Sequence, residues 1–195
     1  MKVVIIKYNA GNIRSVLFAL ERIGVDAVVT DNHDEIRSAD RVIFPGVGEA
    51  SSAMKYLKEK GLDKLICSLN QPVLGICLGM QLMCAYSEEN DTTCLGIFDQ
   101  RVRLFPQIAL KIPQIGWNNI TKLESPLFQG ISEKAYMYFV HSYYVENCKD
   151  AISKTSYIVE FSSAIHKNNF FAVQFHPEKS GEAGQKVLEN FIHNI

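Results

Sequence analysis

The chain has 195 residues, 47% of them hydrophobic, which supplies enough apolar side chains for the core of one domain spanning 1–195. A formal net charge of −1, with no block of like charges, leaves no basic field for a nucleic-acid backbone. No apolar run approaches the roughly 18 residues of a membrane helix, and the one at Val3–Ile6 is too short for a signal sequence, so a soluble cytoplasmic protein is expected.

In chain order, VVII at 3–6 reads as a first strand, followed by a helix from Asn12 whose apolar residues Ile13, Val16, Leu17, Leu20 and Ile23 recur at helical spacing. Gly24 is its stop signal. DAVVT (26–30) is a second strand, a short polar helix starts at Asp34, and RVIF (41–44) is a buried strand. A helix from Ser51, weakened near Gly61, precedes the strand VLGI, which Pro72 opens, and Met80 to Tyr86 can be helical. Short apolar strands separated by amphipathic helices predict an α/β fold: an open, mainly parallel sheet with helices on both faces. After about residue 92 the pattern becomes β-rich, with RVRLF (101–105), AYMYFVHSYYVE (135–146) and NFFAVQF (169–175) predicted as antiparallel or mixed additions to the sheet. A last helix is expected from Glu182, with Ala183, Val187, Leu188, Phe191 and Ile192 on its apolar face.

Five cysteines, an odd number without a Cys-x-x-Cys pair, point to reduced thiols and give no support for a structural metal site. Cys77 stands apart from Cys67, Cys84, Cys94 and Cys148, which read as packing residues. Gly75-Ile76-Cys77-Leu78-Gly79 joins an apolar strand to a helical segment, the context of a nucleophile elbow. There the helix start stabilises a thiolate, Leu78 N–H points toward an oxyanion, and the flanking glycines avoid clashes. Taken alone, the pattern equally fits a small core residue in an ordinary strand–helix turn.

Beyond the strand 170–175, His176-Pro177-Glu178 places an imidazole and a carboxylate two residues apart. If the strand continues, both project to one side and Glu178 can orient His176 as a general base; the alternative is a surface turn with solvated charges. The competing base, His141, has Phe139 and Tyr143 two residues away in place of a carboxylate and reads as a pocket or buried histidine; His33, His166 and His193 read as solvated. No G-x-x-x-x-G-K-[ST] loop is present, and no G-x-G-x-x-G opens a helix after the first strand, which counts against a nucleotide-binding module.

GICLGMQ at 75–81 together with QFHPEKS at 174–180 resembles the class I (triad) glutamine amidotransferases. PGVG at 45–48, PQIGWN at 113–118 and YFVHSYY at 138–144 make the chain similar to the glutaminase subunits of imidazole glycerol phosphate synthases, over nearly its whole length. The resemblance implies glutamine hydrolysis to glutamate and ammonia, with no metal or organic cofactor, and ammonia delivery to a (βα)₈-barrel cyclase partner in a heterodimer of histidine biosynthesis. It implies Cys77 as nucleophile, His176 as base and Glu178 as orienting acid. It also implies Val47 and Leu78 N–H groups as oxyanion donors, and Gly46, Gly48, Gln81, Ser142 and Tyr143 around the glutamine. Asn12, Trp117 and Tyr138 match positions facing the partner, and the resting strand at Gly46-Val47-Gly48 is expected to aim the Val47 carbonyl into the site. Lys7 and Asn9-Ala10 depart from the residues many members carry there. The alternatives are a paralogue that supplies ammonia for amidination of a surface sugar, and a cysteine hydrolase acting on other amides.

Overall fold

The computed structural model describes residues 1–9, 11–108 and 110–195; Ala10, one of the departures, lies outside them. Strand β1 (Val3–Ile6) is buried along its length and lies parallel to both β2 (Ala27–Thr30) and β3 (Arg41–Phe44). Helix α1 (Ile13–Arg22) crosses from β1 to β2 and ends where Gly24 takes φ +75, a left-handed turn that glycine adopts without a Cβ penalty. Helix α2 (His33–Arg37) crosses to β3, its start capped by the Asn32 side chain, which accepts from the Asp34 and Glu35 N–H groups at 2.9 and 3.1 Å. The helix expected from Ser51 is two helices, α3 (Ala50–Glu59) and α4 (Leu62–Cys67), because Gly61 at φ +66 breaks it.

The central strand β4 (Val73–Ile76) runs directly into α5 (Leu78–Met83). That helix is shorter than expected: from Cys84 the backbone is extended as β5 (Cys84–Ser87), which pairs with β6 (Thr92–Thr93) and β7 (Phe98–Leu104). Here strand pairing overrides a local sequence that tolerates helix. β8 (Gln114–Asn119) and β9 (Tyr136–His141) form a separate two-stranded antiparallel sheet. β10 (Tyr143–Val145), β11 (Ala151–Ser156), β12 (Glu160–Lys167) and β13 (Phe170–Val173) belong to the main sheet, and α6 (Gly181–His193) closes the chain.

The eleven-stranded sheet has the order β2-β1-β3-β4-β13-β12-β10-β7-β5-β6, with β11 on β12. The half from β2 to β13 is parallel; β12, β10, β11 and β6 enter antiparallel, and β5 pairs parallel with β7. One correction concerns 135–146, expected as a single addition to this sheet. It divides at Ser142, whose carbonyl accepts from Phe105 N–H at 3.0 Å: β10 stays in the sheet while β9 leaves it. The break lets Met137, Phe139 and His141 point inward while Tyr136 faces out.

The period of two in β1 sends Val4 and Ile6 to one core and Val3 and Ile5 to the other. The first core is closed by Leu57, Leu62, Leu65 and Ile66 of α3 and α4, the second by Val16 and Leu20 of α1 and Val187, Leu188 and Phe191 of α6. Helices therefore cover both faces, and the C-terminal ends of β3, β4 and β13 are where ligands bind in such sheets. No helix among the described residues is long and apolar enough to cross a membrane.

Candidate active site

Cys77 is the hinge between β4 and α5, with φ 53 and ψ −106, a backbone conformation that a residue with a Cβ adopts only under strain. The turn is feasible because its flanks lack side chains. A Cβ on Gly79 would stand 1.9 Å from the Phe44 carbonyl oxygen, and one on Gly75 would meet Met83 Sδ at 2.9 Å and Met80 N at 3.0 Å. Cys77 N–H donates to the Val173 carbonyl at 2.8 Å, tying the elbow to the strand that leads to His176. The other cysteines are free thiols too; Cys84 and Cys94 are buried and Cys148 half-buried, but Cys67 is exposed at the end of α4 and so is not the packing residue expected.

His176 Nδ1 and Glu178 Oε1 are 2.7 Å apart, both side chains almost completely buried. The alternation expected to bring them together is absent: β13 ends at Val173, and Pro177–Lys179 form a 3₁₀ turn that folds the carboxylate back onto the ring. Proline fixes φ and lacks an N–H, which suits the first position of such a turn. Asn12, at φ 71 before α1, donates its side-chain amide to the same Glu178 oxygen across the chain. Among the described residues, the two buried side-chain polar atoms without a hydrogen-bond partner are His176 Nε2 and Glu178 Oε2. Burial by itself lowers the His176 pKa, but the charge of the neighbouring Cys77, then the hydrogen bond to Glu178, outweigh burial and raise it to about 10. Nε2 makes no hydrogen bond of ordinary geometry to the sulfur, so the coupling with Cys77 is that of close neighbours in a poorly solvated site.

His141 is excluded as the base by its own contacts. Nδ1 lies 2.7 Å from the Tyr143 carbonyl and Nε2 3.1 Å from Gln114 Oε1, and burial pushes its pKa down to about 4. Two of the histidines expected to be solvated are not free: His166 stacks on Phe171, and His33 Nε2 lies 3.0 Å from the Lys60 carbonyl.

A cavity of about 280 Å³ is lined by Cys77 together with Val47, Gly48, Leu78, Gln81, Ser142 and Tyr143. Gly46 lies just beneath, where a Cβ would overlap the Tyr8 hydroxyl at 2.0 Å. The orientation of the Gly46-Val47-Gly48 segment, which follows β3, differs from expectation. The carbonyl turned to Leu78 N–H, at 3.3 Å, is that of Gly46; the Val47 carbonyl accepts instead from Gly11 N–H at 3.1 Å. The reason lies in peptide planarity: Gly46 C=O and Val47 N–H are opposite ends of one plane, so turning that N–H away turns that carbonyl in. Both neighbouring peptides are anchored, one by Gly11 and the other by Tyr8, whose hydroxyl donates to Pro45 O at 2.6 Å. The Gly46–Val47 plane between them is held in this orientation by the Leu78 N–H bond to Gly46 O.

Three residues of the site were not singled out in the sequence. Glu89 lines the cavity and accepts from Ala50 N–H at 2.7 Å, and burial raises its pKa. Tyr8 and Gln174 pack beneath Cys77. Only the alternation in MKVVIIKY hinted at a buried Tyr8; Glu89 sits in Ser-Glu-Glu-Asn, where nothing separates it from solvated charges. Trp117, 56% exposed, packs edge-on against the half-buried Tyr138 at 5.9 Å between ring centres, so the tryptophan is not a core residue. Ile115 and Tyr136 are exposed on the same small sheet. That face is joined to the site, because Tyr138 O accepts from His176 N–H at 2.9 Å.

Residues 4–195 match the family described as glutamine amidotransferase class-I. The chain is 56% identical over 194 residues to the imidazole glycerol phosphate synthase subunit HisH of Bacteroides fragilis, covering 98% of this chain and 99% of that one. It is 45% identical over 194 residues to the protein of that name from Pasteurella multocida, covering 99% and 98%. PurLQS from Thermotoga maritima, a solved structure, shares the fold at a TM-score of 0.75 with 16% identity, over 99% of this chain and 98% of that one. The chain belongs to the class I glutamine amidotransferase family.

Proposed function

We propose that this chain is the cytoplasmic glutaminase subunit of an imidazole glycerol phosphate synthase, a single domain that hydrolyses glutamine and passes ammonia to a (βα)₈-barrel cyclase. The observation that carries the chemistry is the unpaired, buried Nε2 of His176 beside a strained Cys77, since buried polar groups otherwise find partners and the exceptions call for a task. In this reading the Cys77 sulfur attacks the side-chain carboxamide of glutamine. His176 gives its proton to the departing ammonia, then activates the water that releases glutamate. Glu178 holds the ring by Nδ1, and Leu78 and Val47 N–H groups stabilise the oxyanion.

In the resting orientation neither oxyanion donor is available: Leu78 N–H is taken by Gly46 O, and Val47 N–H belongs to the plane that is turned away. Loss of one such donor costs about 10²–10³ in kcat. The isolated chain is expected to bind glutamine but turn it over slowly, and addition of the barrel subunit with its ligand to raise kcat by about 10²-fold or more while KM changes little, because the donors act on the transition state. The face carrying Asn12, Trp117, Tyr138, Ile115 and Tyr136 is the proposed docking surface, and Asn12 and Tyr138 touch the triad directly. Steady-state assays on the chain, the complex and the liganded complex test this; an isolated chain already running at the full kcat of the complex would rule out the switch.

Glu89 is assigned the α-ammonium group of glutamine, the one cationic feature of the substrate, because it supplies a carboxylate to the cavity wall. Glu89→Gln is expected to raise KM about 10- to 100-fold, the worth of a hydrogen bond to a charged group, and to leave kcat nearly unchanged. A fall confined to kcat would remove Glu89 from substrate binding.

A further inference from the structure

Resting on the reading of Cys77 as nucleophile, we infer that Gln174 is the hydrogen-bond donor that holds the Cys77 sulfur as a thiolate, at the end of a relay of two side-chain amides that begins at the Tyr143 carbonyl. Gln174 follows β13, two residues before His176, and is fully buried, its backbone N–H donating to the Ser163 carbonyl at 2.8 Å. The direction of the relay is fixed by chemistry. A main-chain carbonyl only accepts, so the Gln81 atom 3.0 Å from Tyr143 O is Nε2. The same nitrogen lies 3.0 Å from the Gln174 amide, which must turn Oε1 toward it, since the opposite orientation sets two NH₂ groups against each other. That leaves Gln174 Nε2 on the Cys77 sulfur, at 3.6 Å.

A neutral thiol is a weak acceptor, whereas a thiolate is a strong one. Gln174 Nε2 is therefore poorly satisfied while Cys77 carries its proton and well satisfied when it does not, and the burial of the amide turns that difference into a preference for the anion. It opposes the Val140 carbonyl, 3.8 Å from the sulfur, which favours the protonated form by accepting from the S–H. The same donor favours release of the sulfur from the thioester, because the departing thiolate regains its partner. Gln81, placed at the cavity wall, links this donor to Tyr143 of the same wall.

The test is the rate of alkylation of Cys77 by iodoacetamide as a function of pH, read by mass spectrometry on the peptide that contains it, since Cys67 is exposed. Gln174→Glu keeps an acceptor for Gln81 but offers oxygen to the sulfur; Gln174→Met removes both functions. In the full-length protein both are expected to slow alkylation at neutral pH by about tenfold or more, the range for a hydrogen bond to an ion, with the profile displaced to alkaline pH. In the wild-type chain the Gln174 side-chain amide proton resonance is expected to titrate with the alkylation profile, and to lose that titration in Cys77→Ser, a reading that needs no folded Gln174 variant. Alkylation by Gln174→Glu that coincides with wild type, or an amide resonance indifferent to pH, overturns the assignment. Neither measurement depends on glutamine turnover, so a failure here is distinct from a failure of Cys77 as nucleophile.

Discussion

Cys77→Ala is expected to abolish glutamine hydrolysis, with kcat falling on the order of 10⁵-fold or more, as when the nucleophile of a coupled triad is removed. No neighbouring group replaces it: among the described residues, Cys77 is the one cysteine that lines the cavity, and the one serine that does, Ser142, lies at the break between β9 and β10 and not at the elbow. The variant keeps the Cβ at φ 53 and so keeps the backbone strain. Cys77→Gly, equally inactive, has no Cβ; relief of strain worth about 1–3 kcal/mol, less the entropy cost of glycine, should make it more stable than Cys77→Ala by about 1 kcal/mol. Chemical denaturation of the two variants measures that difference, and a glutaminase assay measures the first. Activity near wild type in Cys77→Ala would end the nucleophile assignment. Ammonia-dependent synthesis by the proposed complex should survive all these substitutions, since in that reading the thiol serves glutamine hydrolysis alone.

The parts of this molecule legible in its sequence are those fixed by near neighbours. The strand–turn–helix at Cys77, with glycines two residues to either side, needs only local sterics, and the His176-Pro177-Glu178 contact spans two residues even though a 3₁₀ turn rather than strand alternation makes it. The parallel half of the sheet follows from the alternation of short apolar strands with helices. What the sequence hides is set by topology. Asn12 and Glu178 are 166 residues apart in the chain and share a hydrogen bond because β1 and β13 both deliver their following loops to the same end of the sheet. Gln81 on α5, Tyr143 on β10 and Gln174 just after β13 are far apart in the chain, and nothing local at any of them announces that their amides and carbonyl line up. The division at Ser142 is hidden for a different reason: residues 136–145 are β-formers throughout, and only the Phe105 backbone pairing decides which of them stay in the main sheet. A motif gives residue order and not the orientation of a peptide plane, so the sequence points to the Val47 carbonyl where the structure turns in that of Gly46.

His176→Ala should be nearly as damaging as loss of the sulfur, on the order of 10⁵-fold in kcat, because the imidazole serves both half-reactions. Glu178→Gln should lose less, on the order of 10²–10⁴-fold: the turn and Asn12 still hold the side chain beside the ring, but an amide no longer stabilises the imidazolium or enforces its tautomer. The pH window follows from the direction of the shift. His176 is raised from 6.5 to about 10, so the stability its charge contributes is complete below about 6.5 and is lost as pH rises through about 10. The gap in unfolding free energy between wild type and His176→Ala should therefore narrow from pH 7 to pH 10, and hydrolysis by the activated complex should decline over the alkaline end of that range as the imidazolium that protonates ammonia is lost. A gap that widened with pH would mean that His176 is neutral beside Cys77 in the folded protein. Wild-type activity in His176→Ala would end its assignment as the base and return the question to His141, against the two contacts that now occupy that ring.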